Sequence, residues 1–236
     1  MTDRTPPVER DRKAEHIHLA LEGRMQMERR HFDRYIFEHC ALPEIDLDDV
    51  DLTTEFLGKR MAAPLLVSCM TGGTEQAEKI NQNLAAGAER TGVAVGVGSQ
   101  RKAIEDPSTS STFQVREVAP NVPLLGNLGA VQLNYGYGID ECRRAVEMIG
   151  ADALALHLNP MQEALQPEGD GNFAGLLPKI GAVVDELEVP VIAKEIGMGL
   201  TGKVGRRLVD VGVQILDTAG TGGTSWARIE AQRADD

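Results

Sequence analysis

Cysteine is scarce in this 236-residue chain: Cys40, Cys69 and Cys142 stand singly, with no C-x-x-C pair and no closely paired histidines. A zinc site of the paired-ligand kind is excluded, and the three read as free thiols. Long apolar runs are missing too; the longest, Ala62 to Met70 and Val189 to Ala193, fall far short of the roughly 20 residues that a membrane span needs. The segment Met1 to Arg12 is polar, carries both signs of charge and lacks the apolar core of a signal peptide, so the chain reads as cytoplasmic. Basic residues are in deficit, 24 Lys and Arg against 36 Asp and Glu for a net charge of −12. That balance argues against a general nucleic-acid binder or an anionic-membrane binder and leaves room only for a local basic pocket. No Walker loop is present, and no G-x-G-x-x-G follows the first strand.

What the chain does have is ample core material, 42% apolar with 25% charged, at a length that suits one large domain. Short apolar runs recur at Leu65 to Ser68, Val93 to Val97, Pro123 to Gly126, Ala153 to Leu158, Val189 to Ala193 and Val213 to Leu216. They are continuous rather than alternating, as in parallel strands buried on both faces. Helical segments are expected between them at Gln76 to Arg90, Ser110 to Val118, Ile139 to Ile149, Phe173 to Leu187 and Lys203 to Val211. Strand and helix alternate at the length of a βαβ unit, which fits either a doubly wound sheet or a (β/α)8 barrel.

The placement of polar residues favours the α/β class in its (β/α)8, or TIM, barrel form. Every strand ends in functional groups: Ser68-Cys69-Met70-Thr71, Gly98-Ser99-Gln100-Arg101, Gly126-Asn127, His157-Leu158-Asn159, Lys194-Glu195 and Asp217-Thr218. A barrel assembles its site from all its strand ends at one rim, which an open sheet does not require. Only six units are present where a closed barrel has eight, so the chain reads as either a fragment of a longer protein or a truncated product. Residues 1–60 are expected to form a leader packing on the barrel of 61–236. Within that leader Arg12 to Arg30 suits a charged helix, and Ile45 to Leu57 a loop or strand closing the bottom.

Several rim residues invite chemistry, each with a plainer alternative. Lys194, at the end of a buried strand, is either half of a structural ion pair or a cation for an electron-rich cofactor, and Glu195 should point the other way. His157 and Asn159 share a strand face; a core-satisfied histidine and one that handles protons or phosphate are both open. Gln162, Glu163, Glu168 and Asp170 follow in a loop, where a carboxylate beside a phosphate is a natural Mg²⁺ ligand. Arg12, Lys13 and Arg101 are solvated charges or partners of an anionic substrate. The Gly-rich turns Thr71-Gly72-Gly73 and Gly220 to Thr224 allow close approach of backbone N–H groups to an anion or a flat ring.

Taken in order, Arg12-Lys13-x-x-His16, Met70-Thr71-Gly72-Gly73, Gly98-Ser99-Gln100-Arg101, His157-x-Asn159-x-x-Gln162-Glu163, Lys194-Glu195-x-Gly197 and Gly220-x-Gly222-Gly223-Thr224-x-Trp226 closely resemble the type 2 isopentenyl-diphosphate isomerase family. The resemblance implies an FMN-dependent barrel that interconverts isopentenyl and dimethylallyl diphosphate, with FMN reduced by NAD(P)H and with Mg²⁺. It implies that Cys69, Met70, Thr71, Ser99, Asn127, Lys194 and Thr224 contact the flavin. Arg12, Lys13, Ser99, Gln100, Arg101, His157, Asn159 and Gln162 would surround the substrate, Glu163 would hold Mg²⁺, and His157, Gln162 and Lys194 would serve catalysis. It further implies FMN-phosphate contacts after strands seven and eight, and a tetrameric or octameric homo-oligomer. Two other readings stay open: a flavin-dependent oxidoreductase of the lactate-oxidase or dihydroorotate-dehydrogenase type, and a non-catalytic partial barrel.

Overall fold

The computed structural model describes residues 12–22, 25 and 31–235. The segment read for a signal peptide, 1–11, and much of the far end of the expected leader helix, 23–24 and 26–30, lie outside the described residues. The leader supplies helix α1 (Arg12–Leu21) and then a hairpin of β1 (Thr54–Phe56) and β2 (Lys59–Met61). Phe56 pairs with Lys59, so only Leu57 and Gly58 form the turn. Their φ values of 52° and 72° are the double left-handed conformation of a tight hairpin turn, which glycine adopts without strain.

Six parallel strands follow: β3 (Leu66–Val67), β4 (Ala94–Gly96), β5 (Leu124–Gly129), β6 (Ala153–Leu158), β7 (Val191–Glu195) and β8 (Ile215–Asp217). They hydrogen-bond strictly in chain order, which makes the sheet a curled arc of a (β/α)8 barrel. The helices between them are α2 (Glu75–Thr91), α3 (Arg101–Glu105), α4 (Ile139–Ile149), α5 (Pro160–Leu165), α6 (Leu176–Glu186) and α7 (Gly202–Asp210), and α8 (Trp226–Asp235) follows β8. No described helix is long and apolar enough to cross a membrane.

Alternation along the strands sorts the side chains into two cores. Leu124, Leu128, Leu154, Leu156, Val191 and Ala193 face outward under the helices. Leu125, Ala153, Ala155 and Ile192 face the inside of the arc, where Phe56 and Leu57 of the hairpin pack on them. The loop or strand expected to close the bottom of the barrel ends in the first arm of a hairpin, and that hairpin runs across the 60/61 boundary expected from the start of the repeat. It is secured by Lys59, whose Nζ donates to Asp152 Oδ2 at 2.9 Å; Arg116 and the Leu124 N–H donate to the same oxygen, each at 2.8 Å.

The expected helix over Ser110 to Val118 is not formed. Asp106 and Pro107 stop α3, the Asp106 carboxylate accepts the Ser108 N–H, and a 3-10 turn runs from Pro107 to Phe113. A Ser/Thr-rich stretch offers its backbone local hydrogen bonds that compete with a helix ladder. Here Thr112 Oγ1 also accepts the Gly73 N–H, and Phe113 is fully buried. The charged leader helix is shorter than expected where it is described, with its last helical residue at Leu21.

Candidate active site

One step above the apolar inner core, the inward positions turn polar. The register sets Gly129 beside His157, His157 beside Lys194, and Lys194 beside Asp217, so these three side chains form a row across β6, β7 and β8. Asn127, two residues before Gly129, also faces in, and its Oδ1 lies 3.0 Å from His157 Nδ1. Lys194 Nζ lies 3.3 Å from Asp217 Oδ2 and donates to the Glu195 carbonyl at 3.0 Å. Glu195 points outward, where one oxygen accepts the N–H groups of Gly197, Met198 and Gly199 and folds the loop after β7.

Above this row opens a cleft of about 680 Å³ including its mouth. Twelve of the residues expected at a site line it: Arg12, Lys13, Cys69, Met70, Ser99, Arg101, Asn127, His157, Asn159, Gln162, Glu163 and Lys194. Three do not reach it. Thr71 instead gives its carbonyl to the Gly98 N–H at 2.8 Å, a contact so close that a Cβ at Gly98 would fall 2.5 Å from the Thr71 backbone. Thr224 precedes Ser225, whose N–H donates to the Met25 carbonyl. Gln100 is fully buried behind the sheet: Nε2 donates to the Ala145 carbonyl of α4 at 2.8 Å, and Oε1 accepts the Asn127 N–H at 2.9 Å. Here Gln100 is a structural cross-link that fixes Asn127.

His16, Gln132, Gln166 and Trp226 also line the cleft. His16 and Trp226 stood in the ordered motif without a role of their own. They are side by side, ring centroids 5.1 Å apart, and His16 Nε2 lies 2.9 Å from Glu230 Oε1, across 214 residues of chain. No local sequence signal could reveal that pairing. Glu230 is fully buried; although burial alone raises its pKa, hydrogen bonds from His16, Arg233 and Gln162 hold it down at about 2.

The loop carboxylates are engaged rather than merely solvated. Glu163 accepts Asn159 Nδ2 at 2.7 Å and the Asp170 N–H at 2.7 Å. Asp170 takes Arg101 Nη1 at 2.6 Å and Gln132 Nε2 at 2.9 Å. Asn159 Oδ1 is buried with no partner among the described residues, an acceptor that a cation or a donor would satisfy. No group of three His, Cys, Asp or Glu side chains among the described residues could hold a metal by itself.

Burial pushes the His157 imidazole down to about 3, reinforced by the cations Lys13, Lys194 and Arg12, so the ring is neutral at physiological pH. Burial likewise pushes the Cys69 thiol up to about 11, which keeps it protonated and unreactive. The His157 shift has a consequence for stability. Unfolded, the ring takes up a proton near pH 6.5; folded, it does so only near 3. The unfolded state therefore holds more protons between those values, so this contribution is complete above pH 6.5 and is lost as the pH falls, by at most about 1.4 kcal/mol per pH unit. Denaturant unfolding of the parent and of His157→Gln from about pH 4 to 8 should show the shallower pH slope in the variant.

The parallel arc with its polar carboxyl rim is that of a (β/α)8 barrel, and residues 19–118 match the FMN-dependent dehydrogenase family. A solved mandelate oxidase variant with benzoyl-formic acid superimposes with a TM-score of 0.50 at 20% identity, covering 80% of this chain and 59% of that one. Sequence resolves the family further. The chain is 54% identical over 95% of its length to an isopentenyl-diphosphate delta-isomerase of Nostoc sp., 53% to one of Synechocystis sp. and 52% to one of Rickettsia africae. The chain spans just under two-thirds of the length of these isopentenyl-diphosphate delta-isomerases, 65% of the Nostoc protein and 66% of the Rickettsia one.

Proposed function

We propose that the chain forms the catalytic face of a flavin-dependent isomerase that interconverts isopentenyl diphosphate and dimethylallyl diphosphate. The observation that carries this reading is one cleft in which a buried lysine and a neutral histidine on the inner wall face Arg12, Lys13 and Arg101 at the mouth. The family name of the relatives supplies the substrate. The residues fit FMN at its ring end. Lys194 is a 6% exposed cation with two contacts for its three N–H groups, which suits an electron-rich carbonyl or ring nitrogen. Asn127, Cys69, Met70 and Ser99 would complete the ring contacts from the cleft wall, with Thr71 and Thr224 approaching the flavin from the adjoining Gly-rich turns.

Reduced FMN, kept so by NAD(P)H, supplies when bound the acid and electron density that an unactivated alkene demands. The chain's own part is positioning and electrostatics. Arg12, Lys13 and Arg101 bind the diphosphate, the last in a geometry fixed by Asp170 and Glu105. His157 binds as a neutral hydrogen-bonding group, oriented by Asn127. Gln162 is held at both ends, Nε2 to Glu230 and Oε1 to Asn159, and presents a fixed amide to the allylic chain.

Mg²⁺ fits as an ion held by few protein oxygens, with water and diphosphate completing its shell. Glu163 is the carboxylate for it, beside the unpartnered Asn159 Oδ1. Glu163→Gln is expected to raise the Mg²⁺ concentration for half-maximal activity about tenfold, read from a metal titration at parent-like melting temperature. A parent-like titration would remove Glu163 from the metal site. We also place the protein in the cytoplasm, as a homo-oligomer of four or eight chains with a leader of 1–60 on a barrel of 61–236.

The decisive assay follows isopentenyl diphosphate in the presence of FMN, NADPH and Mg²⁺. Conversion to dimethylallyl diphosphate with far less than one NADPH consumed per turnover is expected. Stoichiometric redox turnover of a 2-hydroxy acid would point to an oxidoreductase instead, and protein that stays colourless with added FMN to a binding module.

A further inference from the structure

One cation with three carboxylate partners takes no part in the mechanism above. Arg233, on α8 and with a side chain only 12% exposed, serves carboxylates from three segments. Its Nε donates to Glu15 Oε2 of α1 at 2.8 Å, its Nη2 to Glu168 Oε1 in the loop after α5 at 3.0 Å, and its Nη1 to Glu230 on its own helix. A planar guanidinium has five N–H groups in a fixed fork, so it can hold three acceptors in one geometry where an ammonium group cannot.

The helix so held needs holding. At ten residues α1 is too short to be stable by its own hydrogen bonds, so its placement depends on what it packs against. Its apolar seat is small, Leu19 and Met25 against Ile229 and Trp226. Yet α1 carries Arg12 and Lys13 into the cleft, and Glu168 lines the same mouth. Without a cation among them, Glu15, Glu168 and Glu230 would repel one another and any anion arriving there.

We propose that Arg233 is a positioning residue, which clamps Glu15, Glu168 and Glu230 together and so holds α1 with Arg12 and Lys13 over the cleft for an anionic ligand. The anion role rests on the diphosphate reading given above; the clamp itself does not.

The test combines amide hydrogen exchange of residues 12–21 with the binding of inorganic pyrophosphate in the presence of Mg²⁺, for the parent, Arg233→Gln, Arg233→Lys and Glu15→Gln. In Arg233→Gln, exchange in α1 should accelerate at least about tenfold while the sheet strands keep their protection, and pyrophosphate should bind about tenfold more weakly. Arg233→Lys should recover part of both losses, and Glu15→Gln should move both in the same direction by less. Should Arg233→Gln fail to fold, Glu15→Gln carries the same test, since it takes the charge out of the contact between α1 and Arg233 while leaving Arg233 in place. Parent-like protection of α1 would overturn the clamp. Acceleration spread equally over α1 and the strands, with pyrophosphate affinity unchanged, would overturn the positioning role. A parent that binds no pyrophosphate would sink the diphosphate reading and the anion role together, while exchange in α1 would still decide the clamp.

Discussion

Lys194→Ala is expected to lower isomerase turnover by about 10²–10³ and to weaken FMN binding, with little change in the urea midpoint. The asymmetry follows from its surroundings. Its carboxylate partner Asp217 sits at the end of β8 with a side chain 25% exposed, so water can take over that contact when the lysine is gone. Nothing else facing inward beside it on this row can replace the cation, because its neighbour His157 is held neutral by burial. Flavin titration by fluorescence, run beside the turnover assay, checks the result. Parent-like turnover in this variant would return Lys194 to the role of a structural ion-pair partner.

The opposite pattern is expected for Gln100→Ala: a loss of stability of about 3–5 kcal/mol with affinity for pyrophosphate in the folded protein little changed. The substitution strips partners from the Ala145 carbonyl and the Asn127 N–H at a place closed to water, and leaves a void where a fully buried side chain stood. Each orphaned group costs about 1–3 kcal/mol, against a total folding stability of about 5–15 for a typical domain. Urea unfolding measures the first part and calorimetric titration the second. A variant as stable as the parent would show that this amide does not bind the sheet to α4.

These two residues also show what a sequence discloses and what it hides. Alternation along a strand sends Lys194 and Glu195 to opposite faces before any coordinates are seen, since successive side chains on a strand point to opposite sides. Ala153–Leu158 is legible to the residue, because a strand buried on both faces is an unbroken apolar run. The strand expected from Val189 begins instead at Val191, since Pro190 has no N–H to give to the ladder and contributes only its carbonyl, which accepts the Leu154 N–H. The cross-link through Gln100 was not legible for another reason: a polar residue just past a strand end is equally suited to a ligand and to a buried hydrogen-bond pair, and its burial shows only in the structure. The Ser110 to Val118 helix failed where side-chain hydroxyls compete with the backbone. The partnership of His16, Glu15, Glu230 and Arg233 was invisible, because its members lie more than 200 residues apart and nothing local marks them as neighbours.

The Lys59, Arg116 and Asp152 cluster sits at the amino ends of the strands, opposite the polar row around Lys194. This anchoring cluster and the polar row thus lie at separate poles of the same sheet. Substitutions that harden or soften the amino pole can accumulate without retuning the reacting pole, so thermal tolerance and substrate preference are free to diverge independently in this chain.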